Sequence, residues 1–320
     1  MAHSNLESFL RCTTPAVRSQ LLPKTSVRDW SQRWQPFGSR DNIEYFTLED
    51  LWDYYDEWSA YGAGAPMYLS DHKTVVQYYT PFLSGIQIYT AKSASLRNMR
   101  ENSCLEVETD STSSDSEGGK LSRSNSYSSN RTWDLGDSGT EQDVDFKVKE
   151  RFGDLYLQYF DNTAPHLRLP LKDTTNKLAE EYPGLNSLRS IDLSPASWMA
   201  IAWYPIYHIP AQRNPKELYS AFLTYHTLSS SFQDNLSIEM VNQVSFTDVK
   251  SREVRIKEDS DTISLPPFGL AAYRMQRHVW VNPKTQDCQR LTSLLSSAAS
   301  WLMQHEVDHP DFNFFVSRPM

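Results

Sequence analysis

His305-Glu306-Val307-Asp308-His309 spells H-E-x-x-H. On a helix that spacing stacks two imidazoles one turn apart with a carboxylate beside them, the ligand pair and general base of a zinc hydrolase. Pro310 follows directly and biases His309 away from helical geometry, so the i, i+4 pairing is expected to be lost. The 11 residues after His309 hold no His or Glu to act as a third ligand. His305 also falls on the apolar stripe of a predicted helix, where a structural histidine is the simpler reading. Gly136-Asp137-Ser138-Gly139 has the lettering found around the nucleophile of chymotrypsin-like proteases, but it sits in a tract with no preorganised oxyanion hole. The 11 glycines make no nucleophile elbow, Walker A loop or Rossmann pattern, and no metal or cofactor is implied.

Tyr207-His208 and Tyr225-His226 each close a predicted strand. With Arg213 nearby, these two pairs define a candidate pocket for an enzyme or a small-ligand binder. The competing reading has the tyrosines filling a core and the histidines meeting local hydrogen bonds. Glu49, Asp53 and Glu57 form a carboxylate row that reads as the solvated face of a helix.

A different chemistry is written between Glu101 and Asp145. This tract holds 11 serines and 11 acidic residues against three basic ones, Lys120, Arg123 and Arg131. Its net charge of −8 is nearly all of the chain's −9. Such a segment buries too little apolar surface to offset its ordering entropy and is expected to be disordered. Asp115 follows Thr112 by three residues and Glu117 follows Ser114 by three, with Ser116 between the acids, as acidophilic kinases prefer. Arg123 precedes Ser126 by three in Arg123-Ser124-Asn125-Ser126, a basophilic pattern that approaches a 14-3-3 ligand without its proline. Thr112, Ser114, Ser116, Ser124 and Ser126 are therefore the phosphorylation candidates, each phosphate adding roughly −1.5 to −2 charges. Trp133 and Leu135 are isolated apolar anchors for a partner. Protein partners, engaged through phosphorylation, are the expectation.

The rest of the chain must position whatever chemistry there is. Its 320 residues have 12% aromatics, a mean hydropathy of −0.57 and no apolar run near 18 residues, so no membrane span is expected. The start, Met1-Ala2-His3-Ser4, lacks a secretory pattern. Cys12, Cys104 and Cys288 are scattered and make neither a disulfide framework nor a zinc pattern, which suits the cytoplasm or nucleus. Aromatics interleave with acids, as in Asp50-Leu51-Trp52-Asp53-Tyr54-Tyr55-Asp56-Glu57-Trp58, the wrong sign for nucleic acid. The first forty residues read as an extended arm anchored by Trp30, Trp34 and Phe37. Thr47 and Asp50 open a helix over 48–59, and Gly62-Ala63-Gly64-Ala65-Pro66 turns the chain. Strands are predicted at 75–79, 85–89, 154–160, 198–210 and 221–228, across 264–281 as a hairpin, and at 312–316. Helices are predicted at 171–182 and from Asn282-Pro283 along the stripe Cys288 to His305. Strands in runs with few helices indicate an α+β domain with a mainly antiparallel sheet. We read residues 1–320 as one domain with 101–145 inserted between two of its strands.

Several of these strings are long and rare. Leu51 through Gly64, Ser197-Trp198 through Pro210, Phe222-Leu223-Thr224-Tyr225-His226 and Leu265 through Ala271 resemble a plant family called domain of unknown function 789. The resemblance runs from Asn5-Leu6 to Pro310-Asp311-Phe312. It implies an intracellular plant protein and transfers no activity and no catalytic residues. The combined expectation is a non-catalytic interaction protein with a phosphorylatable loop, the pocket near Tyr207, His208, Arg213 and His226 being the alternative.

Overall fold

The computed structural model describes residues 4–23, 42–69, 73–90, 152–206, 218–230 and 262–317. In chain order these hold α1 (Asn5–Cys12), β1 (Ala16–Arg18), β2 (Gln20–Pro23), β3 (Asn42–Tyr45), α2 (Leu48–Tyr61), β4 (Ala63–Tyr68) and β5 (Thr74–Thr90). They continue with β6 (Asp154–Phe160), α3 (Leu171–Glu181), β7 (Trp198–Pro205), β8 (Ala221–Thr227), β9 (Thr262–Ser264) and β10 (Gly269–Tyr273). Last come α4 (Arg277–Trp280), α5 (Asp287–Gln304) and α6 (Pro310–Val316).

The fold is α+β, and among the described residues every strand pairing is antiparallel. The main sheet runs β10-β8-β7-β5, and the long β5 then pairs β4 along its first half and β6 along its second. β7 alternates its side chains between two cores, as a strand buried on both faces must. Met199, Ile201 and Trp203 join Phe9, Tyr55, Tyr79, Phe222 and Trp280 under α1, α2 and α4, while Trp198, Ala200 and Ala202 join Leu223, Tyr225, Ala298 and Phe315 under α5 and α6. We call these the first and second faces of the sheet. Gly269 allows α5 to lie close on the second face, since a Cβ there would stand 2.8 Å from that of Ala298.

Local chemistry explains the ends of the elements. Thr47 and Asp50 form the expected capping box: Thr47 Oγ1 accepts from Asp50 N at 3.2 Å, and Asp50 Oδ2 accepts from Thr47 N at 3.0 Å. The expected turn at 62–66 is instead the start of β4. Its outer edge is covered by α1, where Asn5 Oδ1 accepts from Tyr68 N at 2.7 Å and Asn5 Nδ2 donates to Tyr68 O at 2.8 Å.

The N-terminal arm is also corrected, because residues 5–12 are a helix. Ser4 caps it by accepting from Glu7 N at 3.1 Å, and Leu6, Phe9 and Leu10 bury one stripe. Trp30, Trp34 and Phe37 lie outside the described residues. The two strands expected at 75–79 and 85–89 are one, because β5 runs straight through Pro81. β4 stops pairing at Tyr79 and β6 starts at Gly85, so Pro81 sits where β5 has a described neighbour on one side only. The hairpin expected over 264–281 is β9, β10 and α4. The last strand, expected at 312–316, is α6, which opens with Pro310 as its first residue and buries Asp311 and Phe315 four apart. Asn282 closes a turn by accepting from Lys284 N at 3.0 Å, and α5 starts only at Asp287.

Candidate functional site

The concentrated polar chemistry lies on the second face, where α6 meets the middle of β5. Ser84 is the extra residue of a bulge: Leu83 pairs with Ile201 and Gly85 with Ala200, leaving Ser84 without a partner across β7. A bulge re-aims its side chain, and Ser84 Oγ meets two groups from the α6 segment. Gly85 is needed beside it, because a Cβ there would stand 2.8 Å from the Phe160 ring and 3.3 Å from His309 Nε2.

The direction of each hydrogen bond follows from counting protons. Ser84 O–H donates to Asp311 Oδ2 at 2.5 Å. With its one proton committed, Ser84 Oγ accepts from His309 Nε2–H at 2.9 Å. His309 is then the Nε2–H tautomer, and its bare Nδ1 accepts from Tyr225 O–H at 2.7 Å. At the other end Arg168 donates through both terminal nitrogens to Asp311 Oδ2 and Oδ1, at 2.6 and 2.7 Å. Arg168 Nε donates to Thr163 O at 3.1 Å and lies 3.7 Å from Asp161 Oδ2. Asp161 N in turn donates to Ser84 O at 3.0 Å. The result is one directed chain, Tyr225 to His309 to Ser84 to Asp311, ending on a forked guanidinium.

This chain is sealed: Ser84, His309 and Tyr225 are 0–1% exposed, and Asp311 and Arg168 at most 9%. Burial lowers the His309 pKa to about 4 against the opposing pull of Asp311, so the imidazole is neutral near pH 7. Burial and then Asp311 push the Tyr225 hydroxyl well above its ordinary value. The same two causes lead for Tyr204, pushed up to about 12. A nucleophilic serine needs its proton directed at the imidazole and a carboxylate on the imidazole's far nitrogen. Here the carboxylate meets the serine itself and the imidazole donates to it. The arrangement holds a buried ion pair and ties α6 to β5 and β8.

The opposite face of β8 carries a second chain. Trp203 Nε1–H donates to Thr224 Oγ1 at 2.9 Å, Thr224 O–H donates to His226 Nε2 at 2.9 Å, and His226 Nδ1–H donates to Leu265 O at 2.8 Å. Burial lowers His226 to about 4 despite its bond to that carbonyl. Tyr225 and His226 therefore point to opposite faces of one strand, each inside a satisfied network. Tyr207, His208 and Arg213 lie outside the described residues.

The H-E-x-x-H letters are split by the backbone. α5 ends at Gln304, His305 is its C-cap, Glu306 has φ +52, and His309 is the N-cap of α6. His305 stacks on Trp301 and Phe152 with ring centroids 4.5 and 4.8 Å away. Among the described residues no three His, Cys, Asp or Glu side chains are grouped to hold a metal ion. In the carboxylate row, Asp53 accepts from Lys172 on α3. Thr112, Ser114, Ser116, Ser124, Ser126, Trp133, Leu135 and the G-D-S-G string all lie outside the described residues. The roots of that tract do not: Thr90, the last residue of β5, pairs with Asp154, the first of β6.

Sequence reasoning missed Ser84, Asp161, Arg168 and Asp311. One signal was present in Ser84-Gly85, a small polar pair within an apolar strand, which marks a bulge. Another was Asp311 beside the helix-opening Pro310.

These features define a mixed α+β protein built around a two-faced antiparallel sheet with a buried ion pair in its second core. The chain matches the family described as Protein of unknown function (DUF789) over residues 4–315, and it belongs to that family. No curated protein and no solved structure matches it. Among the described residues, no helix is long and apolar enough to cross a membrane.

Proposed function

We propose that this chain is a non-catalytic interaction protein that presents a phosphorylatable acidic serine tract from a rigid sheet. The observation that carries the reading is the pairing of Thr90 with Asp154. The chain leaves and re-enters the sheet at adjacent positions, so a long insert there costs the domain little. The tract carries −8 of the −9 net charge and the acidophilic and basophilic serine patterns. The described Ser, His and Asp groups with the geometry closest to a catalytic set are engaged in holding α6, which also supports a structural core. In this reading residues 1–320 are one domain, working inside a plant cell in the cytoplasm or nucleus, with protein partners and no nucleic acid.

Affinity purification with the intact chain and with residues 101–145 deleted tests the proposal. The deletion variant is expected to melt within a few degrees of the intact protein and to lose the tract-dependent partners. An unchanged partner set, or a native protein in which Ser114, Ser116, Ser124 and Ser126 are all unmodified, overturns it.

A further inference from the structure

A sheet edge presents a row of N–H and C=O groups to any other strand, and this sheet closes its edges in different ways. β10 is buried along Gly269–Ala272. β6 is broken by a bulge, since Ile88 pairs with Leu157 and Tyr89 with Leu155, leaving Tyr156 over. β4 has neither device. Its pairing with β5 is unbroken from Ala63 to Tyr68, and it carries no charged residue. Side chains of α1 close it instead. Asn5 meets Tyr68 as a neighbouring strand would, accepting from its N–H and donating to its C=O. The second amide proton of Asn5 goes to Val279 O at 2.8 Å. Ser8 Oγ donates to Pro66 O at 2.6 Å, and Pro66 has no N–H to leave unmet. Asn5 and Ser8 are 3% and 2% exposed, so water has no share in these bonds.

We infer that the first turn of α1 stands in for a strand, and that β4 is a latent pairing edge for β4 of a second copy of this chain. The strand suits its own copy. Gly64, Pro66 and Tyr68 share one phase of the pleat, the phase whose groups Asn5 and Ser8 meet. An antiparallel self-pair centred on Pro66 sets Tyr68 opposite Gly64 of the copy. Its hydrogen bonds run both ways at those positions and call on no proline N–H. No charge on either strand repels the other. Tyr68 and Val76, 51% and 46% exposed on one face of the β4–β5 hairpin, give the pair an apolar side. Phe9, its ring centroid 4.2 Å from that of Phe222, keeps the rest of α1 in the core when the first turn opens.

Sedimentation of the full chain over a range of concentrations tests this. Asn5→Asp keeps the shape of the side chain and suits a helix N-terminus, but it turns a carboxylate on the carbonyls of Tyr68 and Val279. Its mass is expected to double, relative to the intact chain, as concentration rises. Asn5→Ala, which removes the amide without adding a charge, is expected to do the same. Adding Tyr68→Pro to either variant removes the edge N–H and is expected to restore the mass of the intact chain. Thr224→Val, which unsettles a buried network on β8, is expected to leave the mass unchanged. An unchanged mass in both Asn5 variants, equal association of Thr224→Val, or association that survives Tyr68→Pro overturns the inference.

Discussion

Tyr225 and His226 are neighbours on β8, yet they belong to two polar networks that end in different ways. On the first face the chain from Trp203 through Thr224 and His226 stops at the carbonyl of Leu265 and carries no net charge. On the second face the chain from Tyr225 through His309 and Ser84 stops at the Asp311–Arg168 ion pair. Both are buried and both satisfy their members. The neutral network can lose one member for the cost of an unmet hydrogen bond. The ionic one cannot lose a charged member without leaving the other charge in a low-dielectric core. It also joins four chain-distant pieces: β5, the segment after β6, β8 and α6 with its N-cap His309.

The largest expected effect breaks the ionic end. Asp311→Ala is expected to cost about 3–5 kcal/mol in denaturant unfolding, because Arg168 is left buried and unpaired. Replacing both partners, as Arg168→Met with Asp311→Leu, should recover most of that loss. A double variant as unstable as Asp311→Ala would show that the pair itself, and not the orphaned charge, sets the stability.

Acid is next, and it strikes both faces. His226 and His309 have folded pKa values of about 4, below the ordinary 6.5, so the unfolded chain binds their protons first. Their contribution is complete above about pH 6.5 and is lost as the pH falls towards 4. By pH 5 each imidazole is expected to cost about 2 kcal/mol. Urea midpoints measured from pH 7 to pH 5 check this, and His226→Gln should remove part of the slope. Unchanged midpoints over that range would mean that neither imidazole is held neutral.

The two faces also differ in how far the sequence reveals them. The strands that carry both faces are legible as aromatic and β-branched runs, and Tyr225-His226 is visible as a pair. Alternation along the strand sends its two members to opposite faces, a separation that their adjacency in the sequence does not announce. The second-face site was hidden because its members are far apart in the chain. Ser84 and Asp311 approach only when α6 folds back, and Arg168 sits in an irregular segment with no periodic signature. His309 was noticed for its spacing from His305, a relation that the turn at Glu306 abolishes. α1 is legible in principle, since Ser4-Asn5-Leu6-Glu7 has the letters of a capping box ahead of Phe9 and Leu10, but Pro15, Pro23 and Pro36 argue for an extended arm.

The smallest effects separate the two histidines by tautomer. Thr224→Val removes the acceptor of Trp203 Nε1–H and the donor to His226 Nε2. His226 cannot adapt, because its Nδ1 faces the Leu265 carbonyl, which accepts only. Ser84→Ala removes the acceptor of His309 Nε2–H, but the partner of Nδ1 is the Tyr225 hydroxyl, which can donate or accept. His309 can therefore move its proton to Nδ1, while Asp311 keeps both bonds from Arg168. Thr224→Val is accordingly expected to cost about 2–3 kcal/mol and Ser84→Ala about 1 kcal/mol, although the serine belongs to the charged network. Imidazole ¹⁵N shifts provide the direct check: His309 should change tautomer in Ser84→Ala, and His226 should keep its own in Thr224→Val. The reverse order of costs, with His309 unchanged, would place the weight of the second face on the serine instead of on the ion pair.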